Sequence, residues 1–148
     1  MLSRQDWREN NVEVKEYLKQ TDGIKHHIDL LRIESQQLKL QSQSVQGVQY
    51  GEHISSPNKN TEAPFVRCLL RKQEVDDQIK REEDYLSTLK MEISTAIDEL
   101  PCIDERIVLR ARYINSSSWD EIANQLNYSL RSTHRIHAQA LQHFVIPK

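Results

Sequence analysis

The chain has 148 residues, enough for one or two small domains, with 28% charged and 37% hydrophobic residues but only three glycines and four prolines. This excess of helix formers over turn formers predicts an all-α protein, and the shortage of aromatics predicts a small globular core. A net charge of −2 excludes a globally basic polyanion binder, and neither a signal peptide nor an apolar run long enough for a membrane span is found.

Residues 1–100 read as a helical hairpin or oligomerisation region with a loop at 46–64, and residues 101–148 as a separate domain. Residues 1–11, with Trp7 and Asn10-Asn11, form a polar lead-in. A first helix is expected from about Val12 to Val45, with Val14, Leu18, Ile24, Ile28, Leu31, Leu38 and Val45 as its apolar positions. From Ile24 these step by 4, 3, 7 and 7, a heptad-like seam with Ser35 and Ser42 at the missing positions. Asp22-Gly23 should loosen or kink it. After the loop, Thr61 is a candidate N-cap, with Pro64 tolerated in the first turn.

A second long helix is expected over Phe65 to Leu100, its seam including Phe65, Leu69, Ile79, Leu86, Leu89, Ile93, Ile97 and Leu100. Asp76-Asp77 and Glu82-Glu83-Asp84 read as a solvated face. Two long amphipathic helices joined by a loop predict an antiparallel hairpin, a coiled coil between chains, or both. Cys68 and Cys102 lack CxxC spacing and read as free thiols of a reducing cytosol, packed as small apolar groups. Pro101 should break the second helix.

The charge changes sign at that break. Residues 1–100 carry fourteen basic and eighteen acidic residues, net −4, whereas 101–148 carry six and four, net +2. Three helices are expected here. The first spans about Asp104 to Tyr113 and buries Ile107, Val108 and Ala111. The second spans about Trp119 to Leu126, with Ser118 and Glu121 forming a capping box. The third runs from about Leu130 to Phe144 behind Ser129 as N-cap, with Thr133, Ile136, Ala140, Leu141 and Phe144 as its apolar stripe. Asn127 stands where the intervening turn needs a left-handed residue.

Helices two and three make a helix-turn-helix, whose second helix can enter a DNA major groove. The segment resembles region four of the bacterial sigma factors through Arg106-Ile107-Val108-Leu109-Arg110-Ala111-Arg112-Tyr113, Ser118-Trp119-Asp120-Glu121-Ile122-Ala123 and Leu126-Asn127-Tyr128-Ser129. Ser116, Asn127 and Arg131 stand where that family often has glycine, and Thr133 where it has valine. The layout, with Thr133-His134-Arg135-Ile136-His137, is similar to the phage late-gene transcription regulators of the ArpU and RinA type. That resemblance implies sequence-specific binding of double-stranded DNA in the cytoplasm of a bacterial host, with activation of late or packaging genes through host RNA polymerase.

The DNA-binding residues expected are Ser129, Arg131, Ser132, His134, Arg135 and Gln139, with the Arg131 and Arg135 pair foremost because arginine reads guanine bidentately. Ser129 acts as a cap beside a phosphate. Arg110 and Arg112 either touch the DNA backbone or lie in solvent, and Trp119 packs helix two on helix one. His134 and His137 have an i,i+3 spacing, but no cysteine or carboxylate joins them, so no metal is expected. No glycine-rich phosphate loop and no nucleophile–base arrangement marks an enzyme, so no catalytic residue and no cofactor is expected. The long helices suit a homodimer with two recognition helices, or docking on polymerase. Two other readings stay open: a phage small terminase subunit that binds a packaging site, and an adaptor whose helix-turn-helix docks on a protein.

Overall fold

The computed structural model describes residues 4–44 and 64–148, so most of the 46–64 loop, with Thr61, lies outside the described residues. The fold is all-α: α1 (Arg4–Ser44), α2 (Pro64–Asp98), α3 (Ile103–Leu109) running on as a π-helix (Arg110–Ile114), α4 (Trp119–Leu126) and α5 (Leu130–His143). No described helix is long and apolar enough to cross a membrane. The chain divides into two compact units, His26–Asp84 on one hand and Met1–Lys25 with Tyr85–Lys148 on the other.

One expectation about α1 is corrected. The expected polar lead-in is helical from Arg4, because Arg, Gln and Glu are good helix formers and the buried Val14 and Leu18 anchor the turns that follow. Gly23 does not break the helix. A mid-helix glycine costs about 1 kcal/mol relative to alanine, and at its flanks Thr21 is fully buried and Ile24 packs on a core.

In the unit 26–84 the heptad reading of α1 holds. Ile28, Leu31, Ser35 and Ser42 are buried, so the two serines occupy seam positions. Ser35 makes this tolerable by donating its hydroxyl to Asp76 (2.5 Å), and Ser42 by donating to the carbonyl of Lys39 (2.7 Å). Arg71 pairs with Glu34 (3.0 Å), Arg32 with Glu83 (2.6 Å) and His27 with Glu82 (3.7 Å). His27 and Arg32 of α1 meet the later residues Glu82 and Glu83 of α2, and Glu34 and Ser35 the earlier Arg71 and Asp76, as in an antiparallel hairpin. On α2 the expected seam holds at Leu89, Ile93 and Ile97, which are buried, as is Leu100 just past its end, and departs from expectation at Leu69. Leu69 is 41% exposed, while Val75 is fully buried and Cys68 half-buried. The steps from Cys68 to Val75 and from Val75 to Leu89 are multiples of seven, so heptad phase outranks the hydrophobicity of Leu69.

The other unit has a continuous core. Val14 and Leu18 of α1, Leu89, Ile93 and Ile97 of α2, Leu109 and Tyr113, and Ala140, Leu141 and Phe144 of α5 and its cap form one cluster. The corner after α2 is held by Arg106, whose Nε donates to the carbonyl of Leu100 (2.7 Å). The expected burial of Ile107 is corrected, since it is 37% exposed, whereas Leu109 and Tyr113 are buried. The helix is covered on two sides, by the main cluster through Leu109 and Tyr113 and by a second through Val108, Ala111 and Ile122, and Ile107 faces neither. Cys102 is exposed at the N-cap of α3 rather than packed.

Candidate nucleic-acid interface

Local sequence signals place α4 and α5. Ser118 accepts from the Glu121 amide (3.3 Å) while its own amide donates to the Glu121 carboxylate (2.7 Å), a complete capping box. Asn127 closes α4 with φ 55°, and the Tyr128 amide reaches back to the carbonyl of Ala123 (3.0 Å). Ser129 then caps α5 by accepting from the Ser132 amide (3.1 Å). Among described residues, the non-glycine positions with positive φ are Ser116 and Asn127, two of the three at which the sigma pattern often has glycine. The third, Arg131, lies inside α5.

The first helix of this domain departs from expectation over Arg110–Ile114, where it widens into a π-helix. Ser117 bonds back to the carbonyl of Ala111 (2.9 Å), and α1 supplies partners to the carbonyls that follow. Thr21 donates to Tyr113 (3.0 Å), and Lys25 reaches Ile114 (3.5 Å) and the hydroxyl of Ser116 (2.5 Å). Ser116 in turn donates to Asp22 (3.0 Å). The left-handed Ser116 turn is therefore pinned to α1.

The widened turn carries Tyr113 under α5, where its hydroxyl lies 2.9 Å from Nε2 of His137. Both rings are buried. Burial pushes the Tyr113 phenol up to about 12, so it keeps its proton and donates it. Burial first, then the electrostatic influence of neighbouring Lys15, His134 and Arg112, pushes His137 down to about 4, so its ring is neutral and accepts. Trp119 completes the cluster. Its ring lies 4.4 Å from that of His134 and 4.9 Å from that of His137, with the Arg112 guanidinium 4.9 Å from its centroid. It also packs on Val108, Ala111 and Ile122, the role expected of it.

At the far end of α5, His143 Nδ1 lies 2.9 Å from the buried Glu105 carboxylate, and Tyr128 donates to Asp104 (3.0 Å), which holds its phenol above the ordinary range. Both interactions brace the turn and α5 against α3.

The outer face of α5 is thereby left for a ligand. Ser129, Arg131, His134, Arg135 and Gln139 are all exposed, while Ser132 is half-buried and shares its hydroxyl with Ser129 (3.0 Å). His134 is committed on one ring face to Trp119. Sequence reading passed over Ala138 and Gln142. Both are exposed, and Gln142 stands seven residues after Arg135 and so on the same face, a spacing that would have found it. The arginines of this domain separate cleanly. Arg106 bonds to Leu100, Arg110 to Asp98 (2.6 Å), and Arg112 to the carbonyl of Ser117 (3.0 Å) and Trp119. Arg110 thus forms a surface pair with Asp98, its side chain 41% exposed, and Arg112 is half-buried against Trp119. Arg131 and Arg135 have no hydrogen bond or ion pair to any described residue.

A family model described as protein of unknown function (DUF1492) matches residues 58–144, more than half of the chain, and the chain belongs to that family. The match takes in α2 to α5 and leaves α1 outside. No curated protein and no solved structure matches the chain.

Proposed function

From a family whose description assigns no activity, and from the site itself, we propose a sequence-specific DNA-binding transcription regulator of phage or prophage type, which activates late genes with host RNA polymerase. The observation that carries this reading is the contrast among the arginines. Three have hydrogen-bond partners in the fold, while Arg131 and Arg135, on the first turns of a capped and braced helix, have none among the described residues. Two guanidinium forks held at a helix start are suited to bidentate contact with guanine, and the Ser129 cap leaves neighbouring amides for a phosphate. A homodimer would set two such helices on half-sites about one DNA turn apart. Leu30, Ile33 and Leu40, exposed on α1 at heptad-compatible spacing, favour pairing.

The test is selection of duplex DNA from a random pool by the full chain, followed by affinity measurement on the selected site. Arg131→Ala and Arg135→Ala should each weaken that site by about 1–3 kcal/mol, with far less effect on mixed-sequence DNA. Enrichment of no sequence would abandon the reading in favour of protein docking. Sedimentation of the purified chain separates regulation from packaging, since a ring of many subunits would point to a small terminase.

A further inference from the structure

We propose that α1 is part of the DNA interface, with Lys15 and Lys19 contacting backbone phosphates beside the recognition helix. The inference rests on the DNA reading of α5 and extends it to an element outside the family match. At 100° per residue, Lys15, Lys19 and Arg8 lie along one edge of α1, while Glu9, Glu13 and Glu16 lie along another. This sorting places like charges at i,i+4, as in Lys15 with Lys19 and Glu9 with Glu13, an arrangement that destabilises a helix by a few tenths of a kcal/mol per pair. Helix stability therefore does not account for it. Arg8, Lys15 and Lys19 are exposed and make no ion pair with a described residue.

Packing shows where the basic edge lies. Val14 and Leu18 sit in one cluster with Ala140, Leu141 and Phe144, so this stretch of α1 shares its core with the last turns of α5 and its cap. Tyr17, on one flank of the buried seam, meets Phe144 with ring centroids 6.3 Å apart. On the other flank Asp22 and Lys25 hold Ser116, just before the start of α4. Lys15 and Lys19 project on that second flank. Lys15 joins Arg112 and His134 among the groups bearing on His137, and His134 leads round α5 to Arg131 and Arg135. Two acids stand three residues from Lys19, Glu16 and Asp22, and Asp22 is taken by Ser116 and Lys25. The result is a band of basic residues from the recognition face to α1, interrupted at the opening of α4 by the carboxylates of Asp120 and Glu121. Lysines in such a band suit phosphates, which need charge without a fixed fork.

The test measures binding of the full chain to a mixed-sequence duplex and to its selected site between 50 and 200 mM salt. Lys15→Gln with Lys19→Gln should lower the slope of log K against log[salt] by about 1.8, near 0.9 for each phosphate no longer neutralised. It should weaken both duplexes by the same factor, about tenfold at the lowest salt. Glu13→Gln, on the acidic edge, should leave the slope unchanged, and thermal melts confirm that the variants fold. Wild-type binding with the same slope in the lysine variant overturns the α1 contact alone. Absence of wild-type binding to either duplex sinks the DNA reading of α5 itself.

Discussion

The hairpin unit of residues 26–84 and the helix-turn-helix domain are both helical, but different interactions specify them. The hairpin is a repeating seam in which serines fill two positions and exposed ion pairs line the flanks. The helix-turn-helix is built from single irreplaceable features: a capping box, two left-handed residues, a π-turn and a buried Tyr–His bond. A repeat tolerates local damage because each layer contributes a similar small amount. A punctuated domain does not, and the rigidity that follows is what the proposed presentation of two arginines to DNA would require.

Core truncation should break this comparison most forcefully. Ile122 is fully buried at the centre of the smaller cluster of the helix-turn-helix. Ile122→Ala should destabilise that domain by about 4 kcal/mol, close to its whole stability if it unfolds alone. Val75→Ala, at an equally buried seam position of the hairpin, should cost about 2 kcal/mol. Urea unfolding followed by Trp119 fluorescence in a Trp7→Phe background checks this. The first variant should shift the fluorescence midpoint strongly, and the second should shift it far less. Equal shifts would mean that the two units unfold together.

The next effect separates the units by pH. His137 is held near 4 in the folded state against about 6.5 when unfolded. The unfolded chain therefore binds more protons between those values. The contribution of the neutral ring is fully present above pH 6.5 and is lost as pH falls toward 4, about 3 kcal/mol in all. Protonation also makes Nε2 a donor and leaves the Tyr113 hydroxyl without its acceptor. Trp119 fluorescence should report loss of the helix-turn-helix below pH 6 in moderate urea, and His137→Gln, neutral throughout, should flatten that dependence. A wild-type profile as flat as that of the variant would exclude His137 as its source.

The same contrast explains what could be read from sequence. Ser118 with Glu121, Asn127, and Ser129 were legible because capping and left-handed turns act within a few residues. Ser35 and Ser42 were legible because the phase of the α1 seam passes through them. Leu69 misled because its hydrophobicity was weighed above the phase that selects Cys68 and Val75. The π-turn could not be read, since its carbonyls are satisfied by Thr21, 92 residues from Tyr113. The buried pairs Tyr113–His137 and Glu105–His143 likewise join residues 24 and 38 apart. His137 was visible only through a metal-like spacing, and nothing local to it announces a tyrosine. The face of α5 was legible as an amphipathic pattern, but the distinction between free and engaged arginines needed the packing of α2, α3 and Trp119.

The smallest expected effect lies in the hairpin ion pairs, which look like the bonds that hold it. Arg71 bridges Glu34 and Glu74, yet its side chain is 53% exposed and that of Glu34 40%. Such a pair gains little in water, and ordering two long side chains offsets most of that gain. A double-mutant cycle on Arg71→Ala and Glu34→Ala should therefore return little or no coupling, falling further at high salt. Asp76 differs. Lys72 and the buried Ser35 both hold its carboxyl below the usual range, so Asp76→Ala leaves a seam hydroxyl without its acceptor. It should cost about 1 kcal/mol, more than removing Arg71 or Glu34. If the Arg71–Glu34 coupling proved the larger, electrostatics on the flanks rather than the serine-bearing seam would set the stability of the hairpin.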